Sequence, residues 1–263
     1  ARDIPVEELR ADIGRGHMDS MPGHLVDTAV LLEGGDPGRV FAVKDGYAGV
    51  QDEGSQLVAR TFAAAPIDGP DGAWLDMCSG PGGKTATLAA LNPKATIFAN
   101  ELHEHRLDLV ADSVGPWSDR VNLRLGDGRE IGAKEPQRYD RVLIDAPCTG
   151  IGALRRRPES RWNKEAADAF DLVKLQLSLL ESGWDALRSG GVLGYSTCSP
   201  YLAETTQVME TFLAGRDDAI VLDANEIATG ESVMDIEGEG PYLQLWPDQH
   251  KSDSMFLALI KKR

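Results

Sequence analysis

Two cysteines in the second half of the sequence carry side chains that could take part in covalent chemistry. Cys148 closes the run Asp145-Ala146-Pro147-Cys148, and Cys198 lies in Ser196-Thr197-Cys198-Ser199. A lone buried cysteine is usually inert core filler. Two cysteines that each follow an apolar run, in a turn near acidic side chains, instead favour nucleophilic chemistry.

One reaction uses a thiolate together with a methyl donor, namely methylation at carbon 5 of a pyrimidine. A thiolate that adds to carbon 6 makes carbon 5 nucleophilic enough to accept the methyl group. The proton at carbon 5 then leaves and the thiolate is expelled. An acid near ring nitrogen 3 would ease the first step by neutralising the charge that develops. Asp145 could be this acid if burial favours its protonated form.

A glycine-rich loop lies upstream, where an apolar run leads into Asp76-Met77-Cys78-Ser79-Gly80-Pro81-Gly82-Gly83-Lys84-Thr85. This order predicts a strand, a tight turn and a helix start, a layout that binds anionic or nucleotide-like ligands. A P-loop would need glycine in place of Cys78, and a dinucleotide fingerprint that starts at Gly80 would need glycine in place of Thr85. A glycine-rich turn without a ligand remains the alternative for the loop taken alone.

Acidic residues follow the next two predicted strands. Glu101 has the position of the acid that binds ribose hydroxyls in nucleotide-binding α/β folds, with a structural acid at a helix start as the alternative. Asp127 could accept a hydrogen bond from an adenine amino group, or it could only form an Asp-Gly turn. Recognition of ribose and adenine without a phosphate loop points to an adenosine ligand that lacks phosphates. S-adenosylmethionine is the common one.

A basic segment follows Cys148 in an otherwise acidic chain. Between Arg155 and Lys164 there are five basic residues and a tryptophan against one acid. Arginine suits phosphate contacts and tryptophan suits base stacking, so the segment favours a nucleic-acid-binding surface. A solvated charged loop is the alternative. The candidate residues are Arg155, Arg156, Arg157, Arg161, Trp162 and Lys164.

The elements that must position these residues can be predicted from the hydrophobic pattern. Strands are predicted at Ala73–Cys78, Ala95–Asn100, Val121–Leu125, Tyr139–Ile144, Gly191–Ser196, Ile220–Leu222 and Met255–Ile260. Helices are predicted at Gln51–Ala65, with Asp52 as its cap, and at about 84–92, 102–115, 164–189 and 203–214. The alternation indicates an α/β fold with a Rossmann-like, doubly wound, mostly parallel sheet and a last antiparallel strand. Since ligands bind beyond the carboxyl ends of such strands, the acids and cysteines should converge at one edge.

The first part of the chain is predicted to form a partial N-terminal subdomain or linker over residues 1–39, ahead of a catalytic domain over residues 40–263. A short buried element is predicted within Leu25–Leu31, and a strand at Val40–Val43. The glycines and proline of Gly34-Gly35-Asp36-Pro37-Gly38 separate the two.

Composition narrows the classes of partner. The net charge of −15 argues against broad affinity for nucleic acid, so any such site must be a local patch. The three cysteines are widely spaced, which fits reduced thiols in a cytoplasmic protein and argues against a zinc site. No apolar run approaches the roughly 20 residues that span a bilayer. We therefore expect no metal and no membrane association. The oligomeric state stays open, with a monomer favoured.

Several segments together resemble the NOL1/NOP2/Sun family of RNA cytosine-5 methyltransferases, in its bacterial Sun (Fmu, RsmB-type) branch. Asp76–Thr85 is similar to the family's D-x-C-A-A-P-G-G-K-T loop, Asp145–Gly150 to D-A-P-C-S-G, and Ser196–Ser199 contains T-C-S. Gly49–Gln56 is similar to V-Q-D-x-x-S-Q, and Arg156–Trp162 to R-R-x-P-[DE]…W. The resemblance covers about residues 40–263.

The departures from the family pattern are modest. Ser79-Gly80 replaces two alanines, and Asp253-Ser254-Met255-Phe256 replaces a common D-G-F-F, but neither change removes a reacting atom. Sun-type members also carry a NusB-like RNA-binding domain ahead of the catalytic part, which is not within these 263 residues. RNA affinity and the choice of target therefore stay open for this chain.

The resemblance implies a role for each candidate residue. Cys198 is the nucleophile, Cys148 helps release the enzyme from the methylated product, Asp145 holds cytosine nitrogen 3, and Lys84 lies near the reacting groups. S-adenosylmethionine is the implied cofactor. Its predicted binding residues are Cys78, Ser79, Gly80, Pro81, Gly82, Gly83, Lys84, Glu101, Arg106, Asp127, Gly128 and Asp145. Cys78 is then a wall of the cofactor site and not a nucleophile.

The expected activity is methyl transfer to carbon 5 of a cytosine in RNA, with 16S rRNA as the first candidate substrate and tRNA as the second. Reversed roles for the two cysteines, as in DNA cytosine methyltransferases that use a Pro-Cys nucleophile, are an alternative. Two other classes also stay open. One is a non-catalytic RNA-binding assembly factor on the same fold, and the other is a small-molecule methyltransferase.

Overall fold

The structure of the protein is a computed structural model that describes residues 1–162 and 166–263. Lys164, one of the predicted RNA-binding residues, lies outside the described residues, as does the side chain of Arg161.

Short elements precede the main sheet. Their bounds are α1 (Val6–Arg15), β1 (Ser20–Pro22), β2 (Val30–Leu32), α2 (Phe41–Lys44) and α3 (Glu53–Ala64). The strands β1 and β2 form an antiparallel hairpin. The helix α3 agrees with the prediction, including its cap, because the Asp52 carboxylate accepts the backbone N–H of Gly54 at 3.0 Å. The division at residue 40 stays a prediction.

The strand predicted at Val40–Val43 is wrong, since this stretch enters the helix α2. The reason is a contact from outside the segment. The carboxylate of Asp12 in α1 accepts the backbone N–H of Ala42 at 2.8 Å, in the first turn of α2. This contact satisfies an N–H that a helix start leaves without a partner. The element predicted within Leu25–Leu31 is confirmed in part, because Leu25, Val26 and Ala29 are buried.

Eight strands of the described chain form the main sheet. Their bounds are β3 (Ala73–Asp76), β4 (Thr96–Glu101), β5 (Val121–Leu125), β6 (Tyr139–Asp145), β7 (Leu187–Thr197), β8 (Ala219–Leu222), β9 (Leu243–Gln244) and β10 (Phe256–Lys262). The order is β5-β4-β3-β6-β7-β10-β8, with β9 beside β10. The strands from β5 to β7 are parallel, and β10 is antiparallel to its neighbours. The predicted doubly wound, mostly parallel sheet with a last antiparallel strand is confirmed.

The helices of the sheet domain are α4 (Gly83–Leu91), α5 (Glu104–Val114), α6 (Ile131–Lys134), α7 (Ala166–Ala186), α8 (Thr206–Leu213), α9 (Ala224–Glu231) and α10 (Pro247–His250). The pattern predicted α4, α5, α7 and α8 but missed the short helices α6 and α10 and the helix α9. The helix α7 ends before its predicted end at residue 189. It stops there because Leu187 already pairs with Tyr139 of β6.

The sheet is covered on both faces, which explains its nearly continuous apolar strands. Alternate residues of β10 belong to different cores: Leu257 and Leu259 pack with α3, α4 and α9, whereas Phe256 and Ala258 pack with α7 and α8. Since the strand order reverses between β3 and β6, the carboxyl ends of these strands border a crevice at the switch point. The glycine loop follows β3, and the segment with Cys148 follows β6.

Candidate active site

A cavity of about 750 Å³ lies over the carboxyl ends of β3, β4, β6 and β7. It brings most of the predicted residues together. Those that line it are Cys78, Gly80, Pro81, Lys84, Glu101, Arg106, Asp127, Gly128, Asp145, Cys148, Arg156, Arg157 and Cys198. Ser79, Gly82 and Gly83 are in the loop beneath and do not line the cavity, and Arg155 lines a neighbouring cavity of about 550 Å³.

The glycine loop is held against Glu101 at the end of β4. The Glu101 carboxylate accepts the backbone N–H of Gly80 at 3.1 Å, and Arg106 donates to the Gly80 carbonyl at 2.6 Å. A Cβ at Gly80 would lie 2.3 Å from the Glu101 carboxylate, so the loop cannot approach this closely with a larger residue. The loop then enters α4 through Gly82, whose φ of +100° favours glycine. Close packing thus explains Gly80, and the positive φ explains Gly82.

The acids after β4 and β5 also have structural partners. Glu101 accepts the backbone N–H groups of Leu102 and His103, which is the helix-start role considered as its alternative. Asp127 accepts the backbone N–H and the guanidinium of Arg129 in a turn, and the side-chain hydrogen bond lowers its pKa. Both carboxylates line the cavity all the same. Their structural contacts hold the two carboxylates at the cavity. Contacts of these carboxylates with a cofactor remain a prediction.

An ion pair joins the glycine-loop side of the cavity to the cysteine side. The Lys84 ammonium, in the first turn of α4, donates to the Asp145 carboxylate at 2.8 Å. Burial alone would lower the pKa of Lys84, but Asp145 outweighs it and raises that pKa. Lys84 and Asp145 thus form an ion pair between the two sides of the cavity.

The sulfur atoms of Cys148 and Cys198 lie 3.5 Å apart. Their hydrogen bond lowers the pKa of Cys198, and Lys84 lowers it further against the effects of burial and Asp145. The same hydrogen bond, together with burial, raises the pKa of Cys148 well above its usual value. These opposite shifts favour Cys198 as the sulfur that loses its proton first and Cys148 as the donor to it. A thiolate is the reactive form of cysteine.

The third cysteine has a different environment. Burial raises the pKa of Cys78 well above its usual value, and Asp76, Asp145 and Glu101 raise it further. Its thiol therefore stays protonated at neutral pH, and it lines the cavity below the glycine loop. This environment favours a wall of the site over a nucleophile.

The basic segment divides into two parts. Arg155 donates to Asp52 at 2.7 Å, and Arg156 pairs with Asp253 through two nitrogen atoms. These two arginines tie the segment to the start of α3 and to the chain before β10. Arg157 lines the cavity, and the Trp162 side chain is 80% exposed.

Sequence reasoning missed two polar residues that build the site. The Asn100 amide donates to the carbonyl groups of Met77 and Gly126, and so joins the end of β4 to the loops after β3 and β5. Asp253 is 1% exposed and anchors Arg156. Asn100 immediately precedes Glu101, and Asp253 is the first residue of the segment that departs from D-G-F-F. Their positions in the sequence could have indicated them, but neither was given a role.

Two further findings concern the described residues alone. Within 1–162 and 166–263, no three His, Cys, Asp or Glu side chains are grouped so that they could hold a metal ion. In the same ranges, no helix has both the length and the apolar character needed to cross a membrane.

Comparison with known proteins places most of the chain in one group. The family described as 16S rRNA methyltransferase RsmB/F matches residues 65–261. A putative methyltransferase of Mycobacterium tuberculosis is 50% identical over 242 residues, which are 91% of this chain and 51% of the relative. The probable ribosomal RNA small subunit methyltransferase B of Bacillus subtilis is 32% identical over 248 residues, 92% of this chain and 54% of the relative. The chain spans about half the length of the curated relatives it matches.

Solved structures with the same fold come from Pyrococcus horikoshii. A methyltransferase homologue protein aligns with a TM-score of 0.75 and 26% identity, over 99% of this chain and 83% of the other. NSun6, solved with SFG, aligns with a TM-score of 0.70 and 23% identity, over 89% of this chain and 59% of the other. At that identity the likeness to NSun6 shows the fold alone.

Proposed function

Because the chain belongs to the RsmB/F family of 16S rRNA methyltransferases, we propose that it transfers a methyl group from S-adenosylmethionine to carbon 5 of a cytosine in 16S rRNA. One observation supports carbon 5 as the atom that receives the methyl group. The sulfur atoms of Cys148 and Cys198 lie 3.5 Å apart in the cavity that Lys84 and Asp145 also line. Direct methylation of an amine or a hydroxyl would need neither thiol, because those groups attack the methyl carbon themselves.

The cavity residues fit S-adenosylmethionine. A volume of about 750 Å³ is within the range of small-molecule sites. Met77, Leu175 and Leu179 supply apolar walls. Glu101 would accept hydrogen bonds from ribose hydroxyls and Asp127 from the adenine amino group, and the loop from Cys78 to Lys84 and Arg106 would hold the methionine part. The bound cofactor supplies an electrophilic methyl group.

Cys198 would start the reaction. Its thiolate forms a bond to carbon 6 of the cytosine, and the electron pair of the 5,6 double bond makes carbon 5 nucleophilic toward the methyl carbon. Carbon 5 would then take the methyl group, with S-adenosylhomocysteine as the leaving group. Asp145 would hold nitrogen 3 by giving it a proton received from Lys84, which neutralises the negative charge that develops on the ring, and the proton would return when the 5,6 double bond is restored. Lys84 and Asp145 are 2.8 Å apart, within reach for this proton transfer.

Cys148 would act in the second half of the reaction. Once Cys198 is bonded to carbon 6, it is no longer the thiolate whose hydrogen bond raises the pKa of Cys148. Cys148 can then lose its proton to solvent and accept the proton from carbon 5. The electron pair of that C–H bond restores the 5,6 double bond, and the bond between Cys198 and carbon 6 breaks.

RNA would approach over the basic segment. Arg157, at the cavity, suits a phosphate contact, and the exposed ring of Trp162 suits stacking on a base. Arg155 and Arg156 already pair with carboxylates, so their proposed contribution is to hold this surface in place. The protein would act in the cytoplasm, and a monomer is sufficient because both cysteines come from one chain.

Covalent trapping tests the cysteine roles. We expect Cys198→Ala to abolish both methyl transfer and the covalent RNA adduct, and Cys148→Ala to accumulate the adduct because release fails. Denaturing gel shift of labelled RNA measures the adduct. An adduct in Cys198→Ala but not in Cys148→Ala would reverse the two roles.

Substrate mapping tests the choice of RNA. Total RNA from a strain that lacks the enzyme is treated with the protein and labelled S-adenosylmethionine, and new 5-methylcytosine is mapped. A site in 16S rRNA is expected. A site in tRNA alone would mean that tRNA, and not 16S rRNA, is the substrate. Methylation of free cytidine alone would indicate a small-molecule methyltransferase. Cofactor binding without methylation of any RNA would indicate an assembly factor.

A further inference from the structure

A buried carboxylate lies directly behind the two cysteines. Glu204 ends a 3₁₀ helix at Leu202–Glu204, soon after Cys198, and its exposed fraction is 0%. Burial of a charged group is costly unless hydrogen bonds compensate for the lost water. The contacts of this carboxylate therefore indicate what it stabilises.

Among the described residues, the Glu204 carboxylate accepts hydrogen bonds from four donor groups. It accepts the backbone N–H of Thr149 at 2.9 Å and the Thr149 hydroxyl at 2.6 Å. It accepts the Ser199 hydroxyl at 2.6 Å and the Gln176 amide of α7 at 3.2 Å. A carboxylate accepts hydrogen bonds at both oxygens, whereas a glutamine would lose the charge and would have to donate to the Thr149 and Ser199 hydroxyls, which reverses two of these bonds.

The donors lie next to the reacting sulfur atoms in the sequence. Thr149 follows Cys148, and Ser199 follows Cys198. The Gln176 amide also donates to the carbonyl of Pro147, on the other side of Cys148, at 2.9 Å. One buried side chain thus connects the two turns that carry the cysteines and the helix that packs against them.

We propose that Glu204 is a positioning residue that holds the turns of Cys148 and Cys198 together, so that the two sulfur atoms stay in hydrogen-bonding contact. The importance of that contact rests on the proposed function. The hydrogen bond to Cys198 and burial are the main causes that raise the pKa of Cys148, and the nearby Glu204 adds to them. Glu204 itself lies behind the turns and does not line the cavity.

Thiol alkylation tests the proposal without RNA or cofactor. The protein is treated with iodoacetamide between pH 6 and pH 10, and mass spectrometry follows modification of each cysteine. The ionisable groups around Cys198 are Cys148, Asp145, Lys84, Asp253 and Arg156, and none of them is changed in the variants. In the wild type, Cys198 should react at the lowest pH.

Glu204→Gln should move the pH midpoint of Cys198 alkylation upward by about one unit, because the donor from Cys148 is no longer held in place. Cys148 should become more reactive at the same time. The matched control is Asp140→Asn, which changes a buried acid that accepts the backbone N–H groups of Gly72 and Ala73 at the opposite end of β6. It should lower stability and leave the midpoint unchanged. An unchanged midpoint in Glu204→Gln, or an equal shift in Asp140→Asn, overturns the proposal.

Milder variants cover the case in which Glu204→Gln does not fold. Ser199→Ala and Thr149→Val each remove one hydroxyl donor and should shift the midpoint in the same direction by a smaller amount. Unchanged midpoints in both would overturn the proposal. If the wild type methylates no RNA but Glu204→Gln shifts the midpoint, the proposed function fails while the positioning role stands. If the wild type methylates RNA and the midpoint does not move, only the positioning role fails.

Discussion

The ammonium of Lys84 donates a 2.8 Å hydrogen bond to the carboxylate of Asp145, and so joins the start of α4 to the end of β6 across the switch point of the sheet. The Lys84 side chain is 9% exposed, which strengthens its electrostatic effect on its neighbours. The same ammonium lowers the pKa of Cys198. One cation therefore acts on two of the groups that are proposed to contact the cytosine.

Lys84→Met should reduce methyl transfer by roughly 10²-fold or more, the effect of removing one preorganised charged group from a reaction site. The pH profile of single-turnover methylation should also move to higher pH, because Cys198 loses a cation that favours its thiolate. Lys94→Met, in an exposed loop before β4, is the matched control and should behave as the wild type. A lower rate with an unchanged pH profile would contradict the role of Lys84 toward Cys198.

Neighbouring arginines should have separate effects. Arg156→Ala leaves Asp253, which is 1% exposed, without its bidentate partner. We expect a loss of about 2 kcal/mol in the free energy of unfolding, less than for a fully buried pair because Arg156 is partly exposed. Arg157→Ala should change stability by less than about 0.5 kcal/mol and weaken RNA binding with a smaller salt dependence. Urea denaturation and fluorescence anisotropy with RNA at several salt concentrations measure these effects. Equal stability losses in both variants would contradict separate roles for Arg156 and Arg157.

Much of the site could be predicted because it depends on sheet topology. Asp145 ends one parallel strand, and Cys148 and Cys198 each come soon after one. The carboxyl ends of neighbouring parallel strands meet at one edge whatever the details of packing. The glycine loop was predictable for a similar reason, since a strand followed by glycines and a helix start has few possible geometries.

The parts that escaped prediction depend on partners far apart in the sequence. The charge run at Arg155 and Arg156 suggested RNA contacts, but Asp52 and Asp253, which pair with these side chains, are about 100 residues away in either direction. The local pattern at Val40–Val43 favoured a strand, and Asp12 from another helix decided otherwise. In the sequence, nothing distinguishes Glu204 among the 42 acidic residues, because its four hydrogen-bond donors are brought to it only by the fold. Such contacts are tertiary and leave no periodic signal.

Gly80→Ala should weaken cofactor binding while the fold persists. The added methyl would lie 2.3 Å from the Glu101 carboxylate and 2.8 Å from the Arg106 guanidinium, so both groups must move. Since both are predicted to contact the cofactor, we expect at least a tenfold loss of affinity for S-adenosylhomocysteine by calorimetry, or about 1.4 kcal/mol. Gly72→Ala is the control, because a Cβ there meets nothing within 4 Å. Equal affinities in the two variants would show that the glycine loop is not part of the cofactor site.

The acid at the end of β3 should make stability depend on pH. Asp76 is 1% exposed, and burial raises its pKa to about 7 against a hydrogen bond from Thr85 that lowers it. One carboxyl oxygen has no hydrogen-bond partner among the described residues. Because the folded pKa exceeds the unfolded one, the folded state binds more protons between about pH 4 and pH 7. The contribution of Asp76 is therefore full at low pH and is lost as the pH rises through 7.

Asp76→Asn should remove this dependence, because an amide is neutral at every pH. In the wild type, the loss of unfolding free energy between pH 5 and pH 8 due to Asp76 should be on the order of 3 kcal/mol at most, because the slope of about 1.4 kcal/mol per pH unit applies only from pH 5 up to the folded pKa of about 7. Urea denaturation followed by tryptophan fluorescence at several pH values measures the slope. Asp112→Asn, at an exposed position of α5, should keep the wild-type slope. If Asp76→Asn keeps it too, the carboxyl is ionised throughout this range and its charge is already compensated in the fold.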